Sequence, residues 1–131
     1  MRKDDWQGYA RSVLRIIAGL LFSQHGFQKL FGLFGGMGGH GVPHVWSELW
    51  VAGVLEAFGG ALVILGLLTR PVAFLLCGEM AVAYFQMHAP RGFWPIHNGG
   101  EPAVLYCFIF LYLFAAGAGP ISLDRLVRRK E

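Results

Sequence analysis

Residues 12–34 read SVLRIIAGLLFSQHGFQKLFGLF, an apolar run whose few polar side chains recur at helical intervals. Arg15, Ala18, Phe22, His25 and Lys29 follow steps of 3, 4, 3 and 4, which places them on one stripe of an α-helix. The run lacks period-two alternation and is longer than the barrel strands of about 9–11 residues that would be the other way through a bilayer. At about 1.5 Å per residue its length suits a hydrocarbon core of about 30 Å. Hydrocarbon is therefore the solvent this helix is built for, and its inward lysine and histidine are the features that need a reason.

Three further apolar runs follow, at 49–68, 72–89 and 103–119. Hydrophobic residues make up 55% of the chain and charged residues 15%, against about 25% charged in soluble domains, so a soluble core of this size cannot hide the apolar surface. The spacing predicts an all-α membrane protein, a single domain of four transmembrane helices, followed by a basic tail at 121–131. Thr69-Arg70-Pro71 is expected to turn between the second and third helices, Pro90 to end the third, and Pro102 to start the fourth. Gly117, Gly119 and Pro120 should end the fourth, with Ser122 and Asp124 capping a short tail helix. The opening MRKDDWQGYAR resembles a secretory leader, but the apolar run after it exceeds the usual length of about 7–15 residues and no small-x-small cleavage site follows, so a retained helix is expected.

Lysine and arginine set the orientation. Arg2, Lys3 and Arg11, Arg70, and Arg125, Arg128, Arg129 and Lys130 fall on one side, and Arg91 alone on the other, which predicts both termini in the cytoplasm and a bacterial inner-membrane location. Trp46, Trp50, Phe93 and Trp94 then mark the outer interface, and Trp6 and Tyr9 the inner one. This distribution of cations argues against a nucleic-acid partner, despite the net charge of +3.

Polar groups at membrane depth are costly and normally face the bundle interior with a partner. Glu56 lies between Gly53 and Gly60 on one face of the second helix, where a neighbour can approach closely. Glu79, Val82 and Gln86 share a stripe of the third. Depths of roughly 8 Å for Lys29, 10 Å for Glu56 and 15 Å for Glu79 make Lys29–Glu56 the expected ion pair, with Glu79 a deeper partner. Such a pair serves either chemistry or helix register. His25 is either a proton carrier or a packing residue, His88 and Gln86 lie close to the outer interface, and Arg15 and Arg70 are expected to snorkel to the inner one.

His40, His44, Glu48, His97, Asn98 and Glu101 populate the outer loops, but Gly41-Val42-Pro43 breaks the helix that would align two imidazoles, so no metal site is predicted. Bis-histidine haem ligation by His25 and His88 is weighed and set aside. Cys77 and Cys107 form no Cys-x-x-Cys pair, which excludes quinone reduction of the vitamin K epoxide reductase kind. Their depths differ by roughly 9 Å along the membrane normal, so no disulfide between them is expected.

The order of Arg15, then HGFQKL at 25–30, EAFGG at 56–60, GLLTR at 66–70, NGGE at 98–101 and GAGPISLD at 117–124 resembles the DoxX family of small bacterial four-helix membrane proteins. The resemblance covers nearly the whole length, and Gly26, Lys29, Glu56, Arg70, Asn98, Glu101 and Asp124 carry it. Some members are membrane subunits of a thiosulfate:quinone oxidoreductase, and others assemble with redox and thiol-handling enzymes. The resemblance therefore implies a quinone-linked membrane subunit that binds ubiquinone or menaquinone in the outer half of the bundle. Glu56, His25 and Lys29 are the candidate catalytic residues; Phe22, Gln28, Phe58, Glu79, Gln86, His88, Asn98 and Glu101 are the candidate ligand-binding residues, with Phe27 and Phe85 as further walls. The alternatives are a non-enzymatic assembly protein holding a soluble redox partner, and a small-molecule transporter, for which the inverted repeats of many transporters are missing. Glycine faces leave room for a homo-oligomer.

Overall fold

The computed structural model describes residues 3–38 and 41–129, so Arg2, His40 and Lys130 lie outside the described residues. Among those described the chain is helical without strands. Helix α1 spans Lys3–Phe31, α2 Glu48–Leu65 and α3 Thr69–Arg91. A single turn, α4, covers Pro95–Asn98, α5 covers Glu101–Ala116, and α6, in the tail, covers Leu123–Arg128. α2 and α3 are long and apolar enough to cross a membrane, and α5 is apolar but shorter. α1 is the longest, and its stripe of polar residues sets it apart from them.

Boundaries move from the expected ones for identifiable reasons. α1 begins at Lys3 rather than Ser12, because nothing in DDWQGYAR breaks a helix, and it stops at Phe31 because Gly32 turns left-handed at φ 66°. α2 stops at Leu65, where Gly66 takes the same conformation. The turn between α2 and α3 is therefore residues 66–68; Thr69, Arg70 and Pro71 already form the first turn of α3. Pro90 does not end α3 outright: the helix loosens into a π turn at Tyr84–His88 and tightens into a 3-10 turn at Ala89–Arg91 that contains the proline. α5 has its proline in the first turn, as expected, but ends at Ala116, three residues short of the expected end at 119.

α1 packs along α2, and α3 along α5. Phe22, Val63, Ala73, Leu76, Met80, Tyr84, Ala103, Phe110 and Leu113 form the shared core. Glycines permit the α1–α2 approach: a Cβ on Gly26 would stand 2.7 Å from the Ala57 Cα, and one on Gly60 2.7 Å from the Ser23 Cβ. Outside this core, Phe58, Phe74, Leu105 and Phe108 are each more than 60% exposed, an apolar outer face suited to hydrocarbon and unsuited to water.

The end of the bundle where α1 begins and α6 lies is locked by two side chains. Arg15 is buried, and its guanidinium donates to the carbonyls of Val63 (2.8 Å), Ile64 (3.4 Å), Ile121 (2.6 Å) and Ala118. It does not snorkel, because residues 118–121 fold back over it and offer the acceptors that water would otherwise supply. Ser12 Oγ accepts from the Ile121 N–H beside it (3.1 Å). Asp124 does not cap its own helix. Ser122 does that, accepting from the Arg125 N–H. Asp124 instead reaches α3, accepting from the N–H groups of Leu68 (2.7 Å) and Thr69 (3.0 Å), and so caps a helix more than fifty residues away. It also supports Leu68, held at φ 52°, a conformation that costs a branched residue about 1–2 kcal/mol. Asp124→Ala is expected to destabilise the detergent-solubilised protein by about 1–2 kcal/mol and Asp124→Asn by less; equal melting temperatures for all three proteins would show that the cap does not matter.

Candidate functional site: a half-buried lysine with two carboxyl groups

α2 is not a regular helix through its middle. Residues Leu55–Gly59 form a π turn, and Glu56 sits within it, 3% exposed. Irregular turns of this kind inside helices are frequent at functional positions. The turn coincides with the closest approach of α1, since Gly26 lies on the Ala57 backbone and Gly53 takes the Leu30 and Lys29 side chains. From α1, Lys29 Nζ donates to both oxygens of Glu56, at 2.6 and 2.7 Å. The expected ion pair is thus formed.

Glu79 arrives from α3. Both of its carboxylate oxygens are buried and find no hydrogen-bond partner. Glu56 and Lys29 are near enough to act on it electrostatically, without a hydrogen bond of normal geometry. One base therefore faces two acids in an apolar bundle. The cluster ties α1, α2 and α3 together at one point in an apolar interior.

The other sequence-derived residues divide. Phe22 lies in the core, edge-on to Phe110 with ring centres 4.9 Å apart, and so does not face a slot. Phe58 and Phe85 point away from the bundle. His25 is exposed, its ring edge 6.4 Å from Tyr106 of α5, on a face adjacent to Lys29. Gln28 is half-buried and donates weakly to the Phe34 carbonyl at 3.5 Å. Gln86 and Glu101 are exposed. His88 and Asn98 come together, with His88 Nδ1 3.1 Å from the Asn98 carbonyl oxygen. The Asn98 side chain is committed to the loop after α3: it donates to Gly92 O (2.7 Å) and Tyr84 Oη (3.2 Å) and accepts from the Gly100 N–H (2.8 Å). Tyr84, whose hydroxyl donates to Phe93 O, completes this network and was not legible as part of it. The two outer-loop and membrane clusters are separate constructions.

The cysteines require a correction. Cys77 and Cys107 are free, yet their sulfurs are 3.7 Å apart. The expected difference in depth came from two helix ends on one face of the bundle: the third helix starts at Thr69 rather than at 72, and the fourth ends at Ala116 rather than at 119. Measured from the ends that share a face of the bundle, Cys77 is eight residues from Thr69 and Cys107 nine from Ala116, which is the same height.

Known proteins resemble this chain along most of its length. It is 43% identical over 134 residues to an uncharacterized protein of Haemophilus influenzae, with 97% of each chain covered. It is 28% identical to an uncharacterized membrane protein of Mycobacterium tuberculosis, over 89% of this chain and 80% of that one. A Bacillus subtilis protein carrying the name "Putative oxidoreductase CatD" is 29% identical over 88% of this chain and 84% of its own. No solved structure matches. The DoxX family model matches residues 10–89, the stretch that contains Arg15, Gly26, Lys29, Glu56 and Glu79. Since that match takes in more than half of the chain and every member of the buried cluster, the protein belongs to the DoxX family.

Proposed function

We propose that this protein is the quinone-linked membrane subunit of a redox assembly, with Lys29, Glu56 and Glu79 as its proton-handling group. The observation that carries the reading is the buried Glu79 carboxyl, whose oxygens make no hydrogen bond of normal geometry while Glu56 beside it is held by Lys29. An orphaned carboxyl in an apolar bundle fits a ligand that brings a carbonyl or hydroxyl oxygen. A bound quinone would supply two-electron redox chemistry coupled to two protons. Glu79 would hold the ligand oxygen, Lys29 would keep the charge of the cluster balanced, and Glu56 would pass protons between Glu79 and the outside. Electrons would come from a redox partner. The name of the Bacillus relative supports an oxidoreductase setting.

In this reading all four long helices cross the bacterial inner membrane. The end bearing Arg11, Arg70, Arg125, Arg128 and Arg129 is cytoplasmic, since basic residues collect on that side. Titrating the purified protein with ubiquinone and menaquinone analogues tests the site. Glu79→Gln and Glu56→Gln are each expected to weaken binding roughly 10-fold or more, the effect of losing a hydrogen bond to a charged group. His25→Ala, on the adjacent face beside Tyr106, is expected to weaken it less. Unchanged affinity in both glutamine variants would remove the site.

An assembly role is favoured by one separate feature. Trp94, Ile96 and Glu101 border an open cavity of about 380 Å³ on the outer loop, a surface suited to a protein partner. Co-purification of a stoichiometric partner without quinone would select that reading.

A further inference from the structure

At the end of the bundle opposite the outer loop lies a second and larger cavity, of about 530 Å³, which the buried cluster does not use. Among the described residues five arginines line it, from three different parts of the chain: Arg11 of α1, Arg70 of α3, and Arg125, Arg128 and Arg129 of the tail. Two carboxylates, Asp5 and Asp124, also line it, so the described lining residues carry an excess of three positive charges (five minus two). Both oxygens of Asp124 accept from the backbone N–H groups of Leu68 and Thr69.

Two of the arginines are fixed in place. Arg11 Nη1 donates to Ala116 O at 2.7 Å, and Arg70 Nη1 to Ala115 O at 3.0 Å, so both cap the C-terminal carbonyls of α5. Each guanidinium has five N–H donors, and these bonds use only part of them. The Arg11 Nε is buried with no partner. Arg125 makes a single long bond, 3.5 Å to Pro120 O. The cavity thus presents two guanidinium groups anchored on the end of α5 and three exposed ones on the tail, next to the apolar flank of Ala118 and Pro120.

We propose that this cavity binds the phosphate of an anionic phospholipid headgroup. Guanidinium groups pair with phosphate oxygens two at a time, and three uncompensated charges exceed what helix capping requires. The cavity lies where the helices end, at the level a headgroup occupies, and basic clusters at that position attract anionic lipid. A soluble phosphate would share the chemistry of the arginines but would gain nothing from the apolar flank or from confinement in the leaflet. This inference does not depend on the quinone reading.

The test uses the full-length protein in detergent, with native mass spectrometry counting retained lipid after addition of phosphatidylglycerol or phosphatidylcholine. One phosphatidylglycerol is expected to be retained in preference to phosphatidylcholine. The triple variant Arg125→Gln, Arg128→Gln, Arg129→Gln changes exposed residues only, and its affinity for phosphatidylglycerol is expected to fall by roughly 100-fold, about fivefold per arginine. Equal retention by the wild type and the triple variant would overturn the proposal. So would release of the lipid by low millimolar inorganic phosphate at constant ionic strength, which would mark a site for a soluble anion instead.

Discussion

Gly26→Ala is expected to remove most of the folded protein, through one added methyl group. The new Cβ would fall onto the Ala57 N–H and 2.7 Å from both the Ala57 Cα and the Gly53 carbonyl oxygen. All three are backbone atoms of α2, so no side-chain rotation relieves the overlap. α1 and α2 would have to separate, and that separation would stretch the Lys29–Glu56 bond and open the Gly60–Ser23 contact at the same time. Overpacking in well-packed cores costs about 1–3 kcal/mol when side chains can yield, and a backbone obstruction belongs at or beyond the top of that range. The comparison is Gly78→Ala, where a Cβ meets nothing within 4 Å. Monodisperse yield and melting temperature in detergent should fall sharply for Gly26→Ala and stay level for Gly78→Ala. Equal behaviour of the two variants would mean that the α1–α2 contact is looser than described here.

Lys29→Met is expected to be nearly as damaging, for an electrostatic reason. Removing one partner of a buried ion pair costs about 3–5 kcal/mol, because the other charge is left in an apolar setting. Here Lys29 is the base for two acids, so its loss leaves Glu56 and Glu79 facing each other. Glu56→Gln leaves one lysine against one carboxyl and should be milder. The double variant Lys29→Met, Glu56→Leu removes the pair together and should recover much of the stability lost by Lys29→Met. Quinone binding separates the roles: recovery of stability without recovery of binding means that the cluster works on a ligand, whereas recovery of both means that it only holds the helices in register. If Lys29→Met were as stable as the wild type, the cluster would not be the desolvated group described here.

The four helical runs and the Lys29–Glu56 pair were legible because they rest on short-range regularities. Apolar length marks the runs, and spacing along α1 and α2 places Lys29 and Glu56 near one depth. Features that depend on how chain ends fold back were not legible. Arg15 read as a snorkelling residue because nothing local shows that residues 118–121 will cover it. Asp124 read as the cap of the tail helix because its own sequence neighbours fit that role, yet its bonds go to Leu68 and Thr69. Phe22, Phe58 and Phe85 read alike as walls of a slot, since aromatic residues in an apolar helix carry no local sign of which face meets the core. The cysteine error came from helix ends, the part of a helix that local sequence defines least. Glu79 was visible as a polar residue in an apolar run, but its lack of a partner is a property of three helices together.

The double attachment of Arg15 also constrains the order in which this protein can mature. Two of its acceptors, Val63 and Ile64, become available once the second helix is synthesised, but the other two, Ala118 and Ile121, are made only after the fourth long helix. Asp124, which fixes the start of the third helix, comes later still. During biosynthesis the first three helices must therefore wait in the bilayer with an incompletely solvated guanidinium and an uncapped helix start. A nascent chain stopped before residue 118 should remain open to proteases and quality-control factors, and the segment from Ala118 to Asp124 is what closes it.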